Sequence, residues 1–261
     1  MKDGFYVEVK PTDPLSKVRR LFREYSPRIA LVTGENANLI GIIYRSTIIS
    51  VTSIKTNYVA RNLVERPLLV AERQSNVKSL LREMVYRDEW TIPLVDGYTP
   101  LGTVSLESFV KWINKNELGK NELSKTMVKE VMSTGKLKYV PAEDTVHHTI
   151  RKLIEEKFAG IPVVDSRRRC IGILTHSDIL RKGAARIALD SESGPSRSVK
   201  VSEIMTSPVT TVTPDTDLWS LIEVMAERGY GRIPVVDKLE KLVGIVDRSD
   251  ITSYILGVRN P

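Results

Sequence analysis

A unit of roughly sixty residues recurs four times along this 261-residue chain, and a repeat of that length restricts the fold more than any single motif does. Its clearest part is a segment with apolar residues at i, i+3, i+4 and i+7, the spacing of one helix face. The first repeat carries Val18, Leu21, Phe22 and Tyr25; the second Val77, Leu80, Leu81 and Met84; the fourth Leu218, Leu221, Ile222 and Met225. The third keeps the spacing with Val146, Ile150 and Leu153 but has Thr149 in the second slot. A short apolar strand follows each helix, at Ile29 to Val32, Ile92 to Val95, Ile161 to Val164 and Ile233 to Val236, the last three with proline second. A little further on, a second strand opens on Gly41, Gly102, Gly172 or Gly244 and leads into a closing helix.

Each repeat therefore reads as a βαββα unit of an α/β fold. In the fourth, Val209 to Val212 is the expected first strand and Thr213 or Asp215 is placed to cap the helix. That helix should run to about Arg228 and end on a left-handed Gly229. Ile233 to Val236 and Leu242 to Val246 are almost continuously apolar, as strands covered on both faces are. Asp250 to Leu256 begins the closing helix. One unit is too small to hide its own apolar helix face, so units are expected to pair, first with second and third with fourth. The polar run Asn114 to Thr126 divides the pairs, with 117–126 as the linker, and Asp190 to Ser198 has loop chemistry. A first module spans 1–116, with repeats at 5–57 and 60–113. A second spans 127–261, with repeats at 127–183 and 200–257.

Composition suits a soluble globular protein, with no apolar run near the length of about eighteen residues that spans a bilayer and no signal peptide at Met1 to Phe5. The single cysteine, Cys170, lies in an apolar strand; it permits no intrachain disulfide and suggests a reducing cytoplasm. The net charge of +7 is uneven: +4 over residues 1–60, +1 over 61–125, +5 over 126–200 and −3 over 201–261. Such asymmetry either forms a basic face for a polyanion or is a solvated surface. Arg167, Arg168 and Arg169 at the third hairpin tip, with Arg181, Lys182 and Arg186 after its closing helix, are the candidates for phosphate contacts to RNA.

The strongest local signal is Gly172 to Asp178, where a strand enters a helix through Thr175 with a carboxylate three positions on. Free N–H groups there suit a phosphate, and Asp178 suits the two hydroxyls of a ribose. The same spacing is a capping box, so closing the helix and holding a ligand are both open. Nothing in the constellation activates a nucleophile or moves a proton, so no catalytic residue is named. His147, His148 and His176 show no metal-ligand spacing. Trp219, on an amphipathic helix, is expected in the core.

Four units with an Ile-Pro-Val-Val-Asp-like strand and a Gly-x-x-Thr-x-x-Asp-like closing segment resemble cystathionine-β-synthase (CBS) domains, which pair into Bateman modules. Two modules in one chain are similar to the gamma subunit of the AMP-activated protein kinase. The resemblance implies an adenine nucleotide or S-adenosyl ligand, with the aspartate on the ribose, the hydroxyl near phosphate and the Ile-Pro strand beside the base. In the third repeat this assigns Thr175, Asp178, Ile161, Pro162 and Val163. The fourth keeps Asp250, Ile233 and Val235 but has Asp247 in the hydroxyl slot, which repels phosphate unless Arg232, Arg248 or a metal compensates. The second has Ser105 and Ser108, and the first Tyr44 and Thr47, so neither keeps the carboxylate and the first module is expected to be structural or partner-binding. The expected function is a non-enzymatic, cytoplasmic regulator sensing an adenine nucleotide through its second module, with a homodimer compatible. Rival readings are a translation regulator docked on the ribosome or ribosomal RNA, and a regulatory subunit of an enzyme or transporter.

Overall fold

A computed structural model describes residues 6–51, 57–135, 137–182 and 198–258. The expected loop at Asp190 to Ser198, apart from Ser198 itself, and Arg186 lie outside them. Repeat one comprises β1 (Tyr6–Val9), α1 (Leu15–Tyr25), β2 (Ile29–Thr33), β3 (Leu39–Tyr44) and α2 (Arg45–Ser50). Repeat two has β4 (Ala71–Glu72), α3 (Val77–Tyr86), β5 (Thr91–Asp96), β6 (Thr99–Ser105) and α4 (Leu106–Lys115), followed by a short α5 (Lys120–Leu123). Repeat three has β7 (Val140–Pro141), α6 (Val146–Glu155), β8 (Gly160–Val164), β9 (Cys170–Thr175) and α7 (His176–Arg181). After α8 (Val201–Ile204), repeat four has α9 (Leu218–Arg228), β10 (Arg232–Val236), β11 (Leu242–Asp247) and α10 (Arg248–Leu256). No helix among the described residues is long and apolar enough to cross a membrane.

In the first three repeats the sheet has three strands, the first pair parallel and the second antiparallel. The fourth differs from expectation. Its Val209 to Val212 segment makes one bridge among the described residues, Val212 to Val235, and is followed by a turn in which the Thr213 N–H donates to Thr216 Oγ1. The cap of α9 is Asp217, whose Oδ1 accepts the Ser220 N–H at 2.9 Å, and not Thr213 or Asp215. Asp215 pairs instead with Lys129 at 2.8 Å. Gly229 does end the helix, at φ 70°. Within the polar 117–126 segment, α5 forms, buries Leu123 and lays Lys120 over the Trp219 ring at 5.3 Å. Trp219 is in the core, as its helix position suggests.

Repeats one and two, and three and four, clasp each other through the segment leading into the partner. Thr206 bridges Ile173, Ser133 bridges Ile245 and Glu65 bridges Ile42, in each case the residue after the strand glycine. The glycines make this approach possible. A Cβ on Gly172 would stand 2.5 Å from Met205 Sδ, one on Gly244 2.7 Å from Met132 Sδ, and one on Gly41 2.6 Å from the Glu65 carbonyl oxygen. The apolar helix faces are covered differently from the simple pairing. Helices α1 and α2 share one core with α6 and α7, uniting repeats one and three, while α4 packs on α9 and α10, uniting two and four. Each repeat thus meets one neighbour across its sheet and another across its helices.

Gly41 should tolerate alanine less well than Gly172. Its added methyl meets a backbone carbonyl that cannot swing aside, whereas Met205 has a flexible end. Overpacking of this kind costs about 1–3 kcal/mol. Urea unfolding of Gly41→Ala and Gly172→Ala tests the order, and equal stabilities would contradict it.

Candidate functional site

The third repeat places Thr175 and Asp178 at the start of α7, on the seam with repeat four. The Thr175 backbone N–H donates to Asp178 Oδ2 at 2.9 Å, its hydroxyl donates to the same oxygen at 2.5 Å, and the Asp178 N–H returns to Thr175 Oγ1 at 3.3 Å. The capping box is therefore formed. It occupies one carboxylate oxygen only. The other, Oδ1, accepts the hydroxyl of Thr206 at 2.7 Å, from the clasp segment of repeat four. Capping orients the carboxylate and leaves its second edge facing a hydroxyl donor, so the two readings of the motif are compatible. Gly160 lies across from Thr175, where any Cβ would come within 2.9 Å of the threonine methyl, and Arg232 of repeat four donates to the Gly160 carbonyl at 2.8 Å.

Ile161 and Val163, assigned by resemblance to the base, send their side chains into the core shared with repeat one, and Ile233 and Val235 into the core shared with repeat two. Strand alternation leaves Pro162 and Pro234 on the opposite face. In the fourth repeat Asp247 caps α10, accepting the N–H groups of Ser249 at 2.8 Å and Asp250 at 3.2 Å, while Asp250 Oδ2 accepts the Asp247 N–H at 2.8 Å. Arg232 stands 4.0 Å from Asp247. Burial nevertheless pushes the Asp247 carboxyl up, against the pull of Arg232. Arg248 is 1% exposed and donates to Glu107 at 2.5 Å and to the Gly229 carbonyl at 2.9 Å, with Asp247 adding a weaker electrostatic attraction.

The sequence reading missed a cluster of cations where the repeats meet. The first residue of each closing helix (Arg45, Leu106, His176 and Arg248) is buried or half-buried. Arg45 Nη1 donates to Ser177 Oγ at 2.8 Å, and Ser177 Oγ lies 3.0 Å from Ser26 Oγ, so repeat one touches the helix start that carries Thr175 and Asp178. The guanidinium groups of Arg28 and Arg232 stand 5.0 and 5.3 Å from the centre of the Trp90 ring, and the Gly231 backbone runs against this stack. Burial, then Arg248 and Arg45, push Arg28 down to about 9; burial and then Arg181 push Arg45 down to about 10. Burial alone would raise Glu107, but Arg248, Lys111 and Arg28 hold it below its ordinary value. Two buried side-chain nitrogens here, His176 Nε2 and Arg248 Nε, meet no hydrogen-bond partner among the described residues. The shared signal was a basic or histidine residue beside a strand or helix end, invisible until the ends converge.

The arginine tip is partly engaged. Arg169 pairs with Asp165 at 2.8 Å and Arg168 lies over the Tyr139 ring at 5.1 Å, while Arg167, Arg181 and Lys182 are exposed. His148 Nδ1 meets Asp144 at 2.7 Å, an acidic companion the sequence reading overlooked, but among the described residues no group of three or more such side chains could hold a metal ion. Cys170 is half-buried, and burial raises its thiol to about 11.

The family model for the CBS domain matches residues 6–53, 128–185 and 201–257, more than half of the sequence, and the chain belongs to the CBS domain family. The second repeat lies outside the matched segments yet follows the same order of elements. The crystal structure of a Methanocaldococcus jannaschii protein, proposed there to be an archaeal homologue of g-AMPK, superposes with a TM-score of 0.83 over 96% of both chains at 18% identity, which shows a shared fold. A 17.7 kDa protein of Acidianus ambivalens is 29% identical over 133 residues, covering 51% of this chain and 75% of the relative. A 33.4 kDa protein in a ribosomal RNA operon of Thermofilum pendens is 29% identical over 199 residues, covering 72% of this chain and 63% of the relative. A further Methanocaldococcus jannaschii relative, 24% identical over 158 residues, is covered over 49% of its length.

His176 yields a pH prediction. Burial, with Arg45, Arg232 and Arg28 nearby, pushes its pKa from 6.5 down to about 3. Between those values the unfolded chain binds a proton that the folded chain refuses, so this contribution is complete above 6.5 and declines as pH falls. The stability of the wild type relative to His176→Gln should therefore decrease on moving from about pH 7.5 to about pH 5. Urea unfolding at both values checks it; a constant difference would contradict the buried neutral ring.

Proposed function

We propose that this CBS protein is a non-enzymatic regulatory sensor that takes an adenine nucleotide in the cleft between its third and fourth repeats and acts through a macromolecular partner. Asp178 carries this reading: one oxygen is fixed by the helix cap and the other already accepts a hydroxyl, from Thr206 at 2.7 Å. A ribose offers two adjacent hydroxyls to such an acceptor, and replacing Thr206 would loosen the clasp between the repeats. That change is the output signal, because the clasp joins two repeats whose helix faces belong to different cores.

Charge supports a phosphorylated ligand. Arg45 reaches Ser177, between Thr175 and Asp178, and Arg28 and Arg232 add to a cationic centre with an unpartnered His176 nitrogen. A phosphate favours such a site because the cations are already held together and partly desolvated. His176 is kept neutral by burial and the arginines around it, an environment suited to recognition more than to proton transfer.

Calorimetric titration of the full chain with AMP, ADP, ATP, S-adenosylmethionine and adenosine tests the reading. Asp178→Ala should weaken the nucleotide by about 2–3 kcal/mol, the scale of hydrogen bonds to a charged acceptor. Arg45→Ala should bring AMP close to the affinity of adenosine at this cleft. A wild type that binds none of these ligands, or an unchanged Asp178→Ala isotherm, would refute it.

A further inference from the structure

Glu107 is a carboxylate set among arginines from two other repeats. It stands in the first turn of α4, in repeat two, and its side chain is 14% exposed. One of its oxygens accepts from Arg248 of repeat four, and the other lies 2.9 Å from Lys111 Nζ on its own helix. Arg28 of repeat one adjoins this pair: a Cβ on Gly231 would stand 3.0 Å from Arg28 Nη2 and 4.0 Å from Arg248 Nη1. Burial is the largest cause lowering both Arg28 and Arg45, and Glu107 is the carboxylate that opposes it at each. Glu107 therefore acts on the arginine that touches Ser177, although it sits on a different helix start from Thr175 and Asp178.

We propose that Glu107 is a specificity residue, a fixed anion that limits the third-repeat site to a ligand with one phosphate. This role rests on the reading that the site takes an adenine nucleotide. A centre of arginines with no carboxylate would favour a ligand more with each phosphate added, because each brings further negative charge to cations held together and partly desolvated. Glu107 reverses that preference in two ways. Its oxygen takes up the Arg248 donor that a longer phosphate chain would use, and its charge repels whatever negative charge extends past Arg45. A first phosphate beside Ser177 gains the attraction of Arg45, whereas a second and third meet the carboxylate. Repeat two thus sets the charge that repeat three accepts. Glu107→Gln separates the charge from the packing, since the amide oxygen still accepts a hydrogen bond from the buried Arg248 guanidinium.

Adenosine, AMP, ADP and ATP are titrated calorimetrically, without magnesium, into full-length wild type, Glu107→Gln and Glu107→Asp, and circular dichroism checks that each is folded. The wild type should bind AMP at least as tightly as ADP or ATP. Glu107→Gln should tighten ATP by about tenfold, the effect of one like charge roughly 10 Å away at the dielectric of a protein surface, and AMP by less. Adenosine should change by less than about twofold in both variants, since an uncharged ligand meets no such repulsion. Glu107→Asp keeps the charge and should keep the wild-type order. Wild-type affinity that rises with each phosphate, or an AMP-to-ATP ratio unchanged in Glu107→Gln, overturns the role of Glu107 and leaves the nucleotide reading intact. A Glu107→Gln protein in which adenosine shifts as much as ATP shows a packing role instead, and that also overturns it. Should Glu107→Gln not fold, the wild-type order by itself decides. If none of the four ligands binds the wild type, the nucleotide reading fails and the role of Glu107 fails with it.

Discussion

Every repeat has two apolar surfaces, one on its sheet and one on its helices, and sixty or so residues cannot cover both from within. Two different neighbours supply the cover. Across the sheets, the lead-in segment of one repeat lies against the strand glycine of its partner, so Met205 reaches Gly172 and Met132 reaches Gly244 in a reciprocal exchange. Across the helices, Val18 and Phe22 of repeat one join Val146 and Ile150 of repeat three, while Val110 and Ile113 of repeat two join Leu221 and Ile222 of repeat four. Neither contact alone completes a core. Their combination binds four units into one body and brings the starts of the closing helices to a common centre.

That centre concentrates charge. Arg248 is buried with Glu107 from another repeat, a pair whose disruption leaves an unmatched ion inside and costs far more than an exposed pair would. Arg28 and Arg232 both stand over the Trp90 ring, setting positive charge against an aromatic quadrupole. The remaining excess is positive, and it adjoins the turn that holds Thr175 and Asp178 through Arg45 and Ser177. Packing and charge are therefore coupled: the helix starts that close the core also set the electrostatics around Thr175 and Asp178.

The local chemistry was readable residue by residue. The helix faces, the proline-bearing strands, the Gly229 stop and the Thr175/Asp178 box depend on neighbours a few positions away, and the linear order displays those neighbours. What was not readable has a common cause. Asp217 caps α9 in place of Thr213 because Thr216 turns the chain first, and the 117–126 segment folds because Leu123 and Lys120 find Trp219 far ahead in sequence. Ile161 and Val163 look like cleft residues in a motif, yet alternation against a distant helix layer sends them to the core. Thr206 carries no motif of its own, and only the fold shows that it bridges Ile173 and meets Asp178.

By itself, the sequence determined the repeat, the order of elements within it and the position of one complete Thr-x-x-Asp box, because these rest on hydrogen bonds and side-chain periodicities spanning a few residues. Tertiary structure alone decided which helix face meets which, where Arg28, Arg45, His176, Arg232 and Arg248 converge, and which lead-in segment bridges which strand. Those outcomes depend on shape and charge matched between residues far apart in the chain, such as Arg45 and Ser177, whose neighbourhood no local pattern encodes.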